Sequence, residues 1–251
     1  MDSIFTGNNA ISRGGGVYWE GPNGIITNCV FTNNAAKQGG GFYCFATKCT
    51  LSSSIFNNNS ADAGAVVWNG KYGSLFNCTF SNNYAISDAG GIIFQDAYCI
   101  LSNSNFIGNT AGRFGGGITC NWYNCSFINC TFFNNTATYG GAAYVSSNNV
   151  IMLDCNFTNN HALRGDNVYW IWTVDEFLNK YNQINDYDYI WIRNGAGIPS
   201  STIVLNKKGV TISGQSTNVI FDAKGGNLHF EVTGDNILIE NLSFRNFNFT
   251  K

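Results

Sequence analysis

Six charged residues recur at one place in successive stretches of this chain: Arg13, Lys37, Asp62, Asp88, Arg113 and Arg164. Paired carboxylates that share a cation beside a basic group can take or give a proton at a sugar carbon or a leaving oxygen. Asp62 and Asp88 fall on neighbouring units and are the pair placed to share such a cation. The simpler alternative is a solvated ladder of mixed charge. His161 and His229 are the two histidines, so no histidine-type metal cluster exists. Asp222 and Glu231 form a second candidate carboxylate pair, with no third partner in sight. Nothing here meets the geometric demands of an active site. No catalytic residue, metal ligand or cofactor is therefore assigned, and the chain reads as a non-enzyme.

Composition narrows the classes further. Charged residues are 11% of the chain and the net charge is −2, with no basic patch for nucleic acid. Apolar runs are too short for a membrane span, and no signal peptide is visible. The nine cysteines mostly fall into two columns that also admit Ser, Gly or Val, so they read as buried small hydrophobes. Cys44/Cys49 and Cys120/Cys125 are the best disulfide candidates, each five apart across one corner. Asn-x-Ser/Thr triplets at Asn58, Asn77, Asn124, Asn129, Asn134, Asn156, Asn241 and Asn248 permit glycosylation in a secreted protein.

These residues are placed by a repeat. Phe5, Phe31, Phe56, Phe80, Phe106, Phe132 and Phe157 are spaced 26, 25, 24, 26, 26 and 25 apart. Three residues after each stands Asn8, Asn34, Asn59, Asn83, Asn109, Asn135 or Asn160, and five after each stands Ala. A fixed period of this length is the mark of a solenoid. With 29 Gly, abundant Asn and Ser and no helical spacing, the unit is built from strands. Three short runs per unit, as in Ser74–Phe76, Cys78–Phe80 and Ile92–Phe94, describe one coil of a right-handed parallel β-helix, all-β, of about 25 residues. The Asn column forms a buried hydrogen-bonded ladder.

Alternation assigns the remaining columns. Val17, Phe42, Val66, Ile93, Ile118, Ala143 and Val168 point inward. Tyr18, Tyr43, Val67, Phe94, Thr119, Tyr144 and Tyr169 point outward. Exposed aromatics at coil spacing offer stacking faces for sugars, so Tyr18, Tyr43, Phe94, Tyr144 and Tyr169 are the candidate binding row. A self-packing aromatic ladder under covering loops is the alternative.

The repeat stops after Gly165. Thr173 to Glu176 is a capping box, and Val174, Phe177, Leu178, Tyr181 and Ile184 keep helical spacing, predicting a helix over 174–184 that covers an end of the stack. The expected organisation is a β-helix of about seven coils over 1–172, a capping helix at 173–185 and the start of a second β-helical module at 186–251. The chain starts mid-unit and a new Phe-Asn run opens at Phe244–Phe249, so a fragment of a longer protein is expected.

Phe31-Thr-Asn-Asn-Ala-Ala followed by Gly-Gly-Gly-Phe-Tyr, and Phe132-Phe-Asn-Asn-Thr-Ala followed by Gly-Gly-Ala-Ala-Tyr, resemble two families: polymorphic outer-membrane protein repeats and the adhesin-like surface proteins of methanogenic archaea. Val210-Thr-Ile-Ser-Gly, Val219-Ile-Phe-Asp-Ala and Asn236-Ile-Leu-Ile-Glu-Asn-Leu-Ser-Phe resemble module openings of the archaeal proteins. No autotransporter barrel is present, which favours the archaeal family. The resemblance implies an extracellular, cell-surface spacer and adhesion scaffold, with a glycan or protein ligand. Pectin-lyase-like enzymes share the fold, so a polysaccharide lyase or hydrolase is the alternative.

Overall fold

The computed structural model describes residues 2–147, 149–225 and 229–247; the Asn248 triplet and the end of the Phe244–Phe249 run lie outside them. Each repeat is one turn of a parallel β-solenoid. A coil holds four short strands rather than three, for example Ser74–Phe76, Thr79–Ser81, Tyr84–Asp88 and Ile92–Phe94. The additional strand carries the Ala column. Its inward Ala85 is flanked by the exposed Tyr84 and Ile86, so the segment has too little apolar contrast to read as a strand. Stacking gives four parallel sheets of six, seven, six and ten strands, here called the Leu, Phe, Ala and long sheets. Two smaller sheets replace the first three beyond residue 194.

Four corners per coil need four reversals of direction, and each is made by one left-handed residue. Between the Leu and Phe sheets these are Asn28, Ser53, Asn77, Asn103, Asn129 and Asp154. Between the Phe and Ala sheets they are Gly7, Asn33, Asn58, Asn82, Gly108, Asn134 and Asn159. Short polar side chains and Gly tolerate this conformation best. Before the long sheet the position is Gly in six coils but Ala89, at φ 57°, in one. That substitution explains a register difference. Ala89 occupies the corner, so the following strand starts at Ile92, which pairs with Val66 and Ile118. Ile93 takes the outward place opposite Val67, and Phe94 turns into the core opposite Trp68.

Identical residues stack because strands one coil apart pair in register: Phe31 with Phe56, Phe56 with Phe80 and Phe80 with Phe106. The Phe rings lie 4.5–5.1 Å apart and within 11° of parallel along the whole row. Beside them runs the Asn ladder. Asn83 Nδ2 donates to Asn109 Oδ1 (2.9 Å) and to the Phe56 carbonyl (2.9 Å). Its own Oδ1 accepts from the backbone N–H and Nδ2 of Asn59 at 2.9 and 3.1 Å. Both ends of the buried amide are thus satisfied, which removes the cost of burying it. At the far end Asn160 donates to the Phe132 carbonyl and to Asn167 Oδ1, and Asn167 passes the chain on to the Asp186 carbonyl.

Side chains compete for space across one corner. The last residue of several long-sheet strands faces a residue five positions later: Trp19 with Gly24, Cys44 with Cys49, Trp68 with Gly73, Cys120 with Cys125. A β-carbon at Gly73 would fall 2.2 Å from Trp68 Nε1. Bulk at one place therefore requires its absence at the other.

The helix forms at Val174–Lys180, continued by a 3-10 turn at Tyr181–Gln183. Thr173 Oγ1 accepts from Glu176 N and Glu176 Oε2 accepts from Thr173 N, completing the capping box. The structure places this helix inside the solenoid instead of over an open end. Strand Tyr189–Ile192 pairs with Val168–Trp172, so the long sheet continues past it. The helix stands where Leu-, Phe- and Ala-sheet strands would otherwise lie. Phe177 packs 6.3 Å from Trp172 and 5.3 Å from Phe221, and one core runs through the junction.

Replacing Asn83 with Leu is expected to cost about 1–3 kcal/mol, because Asn59 and the Phe56 carbonyl lose partners. The same change at the exposed Asn8 should cost less; equal shifts in thermal melts would contradict the ladder. Trp68→Cys alone should cost about 3–5 kcal/mol, and Gly73→Cys alone should also destabilise. The double variant should recover part of the loss, with a coupling of about 0.5–3 kcal/mol. Strict additivity in chemical denaturation would show that the two positions share no volume.

Candidate functional site

The outer face of the long sheet is where the sequence places its binding row. Of the five candidates, Tyr18 is 40% exposed, whereas Tyr43, Phe94, Tyr144 and Tyr169 are buried. Phe94 belongs to the core. Two causes cover the others. Tyr144, Tyr169 and Tyr189 stack on one another at 5.4 and 4.9 Å. Side chains from the neighbouring corner also fold over the row: Phe114 lies 4.2 Å from Tyr144, and the Arg13 guanidinium stands over Tyr43. Such packing contributes to stability and leaves little ring face for a ligand. Burial pushes the Tyr169 phenol up to about 12.

The carboxylates do not assemble either. Asp88 is held by Arg113 through two parallel hydrogen bonds, Nε to Oδ1 at 3.0 Å and Nη2 to Oδ2 at 3.1 Å. That fork satisfies Asp88 without a shared cation. Asp62 lies with Arg13 and Lys37 along an open groove of about 390 Å³. Asp222 accepts from Asn246 Nδ2 and Lys224 N, which hold its carboxyl below the usual range; Glu231 sits in a different sheet. Among the described residues no group of three or more His, Cys, Asp or Glu side chains is placed to hold a metal ion.

Eight of the nine cysteines are buried, and no disulfide joins described residues. Cys44 lies against Cys49, and Cys120 against Cys125. Burial pushes the Cys44 thiol up to about 12 and the Cys78 thiol up to about 11, so these thiols stay protonated and unreactive.

Two features escape the sequence patterns. One is a hollow of about 330 Å³ at the junction, lined by Arg164, Asp166, Tyr187, Tyr189, Leu238 and Glu240 among others. Buried Asp188 reaches its wall and accepts from Val168 N, Trp170 Nε1 and Asn185 N at 2.9–3.0 Å. The other is a strip of exposed aromatics, Tyr72, Tyr98, Tyr123 and Trp122, at the corner between the long and Leu sheets. Their spacings of 26 and 25 residues, from Tyr72 to Tyr98 and on to Tyr123, carry the coil period. The signal was present but lies in segments that read as turns.

Asp188 predicts a pH dependence. Burial pushes its carboxyl up to about 7, against the three donors that hold it down. The unfolded chain releases this proton near the usual carboxylate value of about 3.9. Stability from this group is therefore fullest below pH ~4, falls by a few kcal/mol at most as pH rises to ~7, and is level above. Asp188→Asn should flatten that slope in melts between pH 4 and 8; an unchanged slope would assign the dependence to other groups.

No curated protein and no solved structure matches the chain. A family model described as a right-handed β-helix region matches residues 16–224, within the parallel stack that runs from Ile4 to Arg245. The matched span is most of the sequence, and this chain belongs to the right-handed β-helix family.

Proposed function

We propose that the chain is a non-enzymatic extracellular protein of the cell surface, a rigid β-helical spacer and adhesion scaffold whose partner is a surface glycan or protein. The observation that carries this is the unbroken axial continuity of the molecule. The long sheet joins ten parallel strands, which at the usual spacing of roughly 4.8 Å make a rod about 43 Å long. Its interior is bonded coil to coil by amides and stacked rings. Its charges are few, and Asp88 is neutralised within the structure. The resemblance of its repeats to adhesin-like archaeal surface proteins supports the same reading.

A polysaccharide lyase or hydrolase is the rival, and one observation favours it: Arg164, Asp166 and Glu240 share the junction hollow. Incubating the purified chain with neutral and acidic polysaccharides, with and without Ca²⁺, separates the two. No new reducing ends and no unsaturated product are expected. Turnover that disappears in Glu240→Gln would replace the scaffold by an enzyme. Protease shaving of intact source cells should release peptides of this chain; protection until lysis would contradict surface display.

A further inference from the structure

The corner between the long and Leu sheets carries an unusual conformational cost. Its left-handed position is Asn23, Asn124 and Asn149 in three coils and Lys48 in another, but Tyr72 and Tyr98 in two adjacent coils, at φ 59° and 60°. A bulky residue there is an outlier, and Asn serves the same turn elsewhere in this chain. The third left-handed tyrosine, Tyr187, seats its ring over Gly209. Tyr187 is itself 41% exposed; Tyr72 and Tyr98, 54% and 42% exposed, have each other's rings in place of such a glycine seat. Their rings stack at 5.2 Å, Tyr123 meets Tyr98 edge-on at 5.9 Å, and Trp122 lies 6.3 Å from Tyr123. Tyr123 and Trp122 are also more than 40% exposed. Four aromatic rings thus climb one outer corner over three coils, at strand spacing.

The start of the same corner carries a second row, Asn69, Gln95 and Asn121, aligned by the backbone bonds that link each to the coil before it. Neutral carboxamides beside aromatic rings are the donors, acceptors and apolar faces that a sugar chain requires. The charges along this corner are Lys48, Lys71 and Asp96, on three successive coils. The axial repeat is comparable to the length of one pyranose unit. We propose that Tyr72, Tyr98, Tyr123 and Trp122, with Gln95 and Asn121, form a binding strip for an extended, uncharged oligosaccharide lying along the solenoid axis. The turn departs from Asn at Tyr72 and Tyr98 because those side chains serve the ligand. The strip names a ligand class for the scaffold reading, and the two fail separately. Absence of sugar binding removes the strip and leaves the rod, whereas turnover removes the scaffold and leaves the strip.

The test titrates the intact chain with cellohexaose, xylohexaose and mannohexaose, with hexagalacturonate as the acidic comparison, following the fluorescence of the exposed Trp122 and heat by calorimetry. At least one neutral hexaose should bind saturably in the micromolar-to-millimolar range and more tightly than its trimer. Tyr72→Asn/Tyr98→Asn should weaken binding about tenfold or more, with a melting temperature equal to or above that of the parent, because the turn relaxes. Trp122→Ala should also weaken binding without unfolding. Failure of all three neutral hexaoses to bind, preference for hexagalacturonate, or unchanged affinity in the double variant would overturn the proposal. A large fall in melting temperature in the double variant, with affinity retained, would make the strip a packing element.

Discussion

A buried amide must find a partner for each of its polar atoms, and this requirement sets the register of the whole molecule. Asn83 can be satisfied at the Phe–Ala corner only if an Asn stands at the same place one coil before and one coil after. A slip of one residue would move the amide to the outer face and strand its neighbours. The ladder therefore specifies as well as stabilises. With Asn fixed, the Phe three residues earlier must fall on the Phe below, and the rings stack nearly parallel. The Asn167 side chain extends the same logic into the segment where the repeat motif itself is lost.

Corners and core answer to that register. Each reversal uses one left-handed residue, and its type records what the corner has to do. Asn and Gly make plain turns. Ala89 makes one at some strain and adds a methyl to the packed outer cluster with Tyr43, Val67 and Ile93. The tyrosines at 72 and 98 make one while projecting aromatic rings into solvent. Inside, Trp68 takes the space that a side chain at position 73 would need, whereas the smaller Cys44 leaves room for Cys49 at the same site. The same demand for small volume explains why cysteine is frequent without forming a framework of disulfides.

Much of this was legible in the sequence, because strict columns are produced by strict stacking. The period, the Asn ladder, the inward Phe row and the capping box all follow from residue spacing. What was hidden depended on contrast or on three-dimensional cover. The Ala strand was hidden because a small inward side chain between exposed neighbours resembles a loop. The position of Phe94 was hidden because Ala, not Gly, turns the corner before it. The outward direction of Tyr43, Tyr144 and Tyr169 was readable, but not their burial, since Arg13 and Phe114 arrive from a different edge of the coil. The exposed strip was missed for the converse reason: aromatics in turn segments do not alternate, and alternation was the only criterion for facing outward. The helix was recognisable, yet its place within the stack follows from pairing between Val168–Trp172 and Tyr189–Ile192, which no local pattern announces.

The central claim is that coil-to-coil amide bonding holds this rod in register, and side-chain hydrogen exchange tests it most directly. With resolved carboxamide signals by NMR, the Nδ2 protons of Asn34, Asn59, Asn83, Asn109 and Asn135 should exchange only through global unfolding, following denaturant with the slope of the whole domain. The exposed corner residues Asn33, Asn58, Asn82 and Asn134 should exchange at near-free rates in the same sample. Ladder amides that exchange as fast as those corner amides would contradict the account, whatever the stability of the backbone sheets.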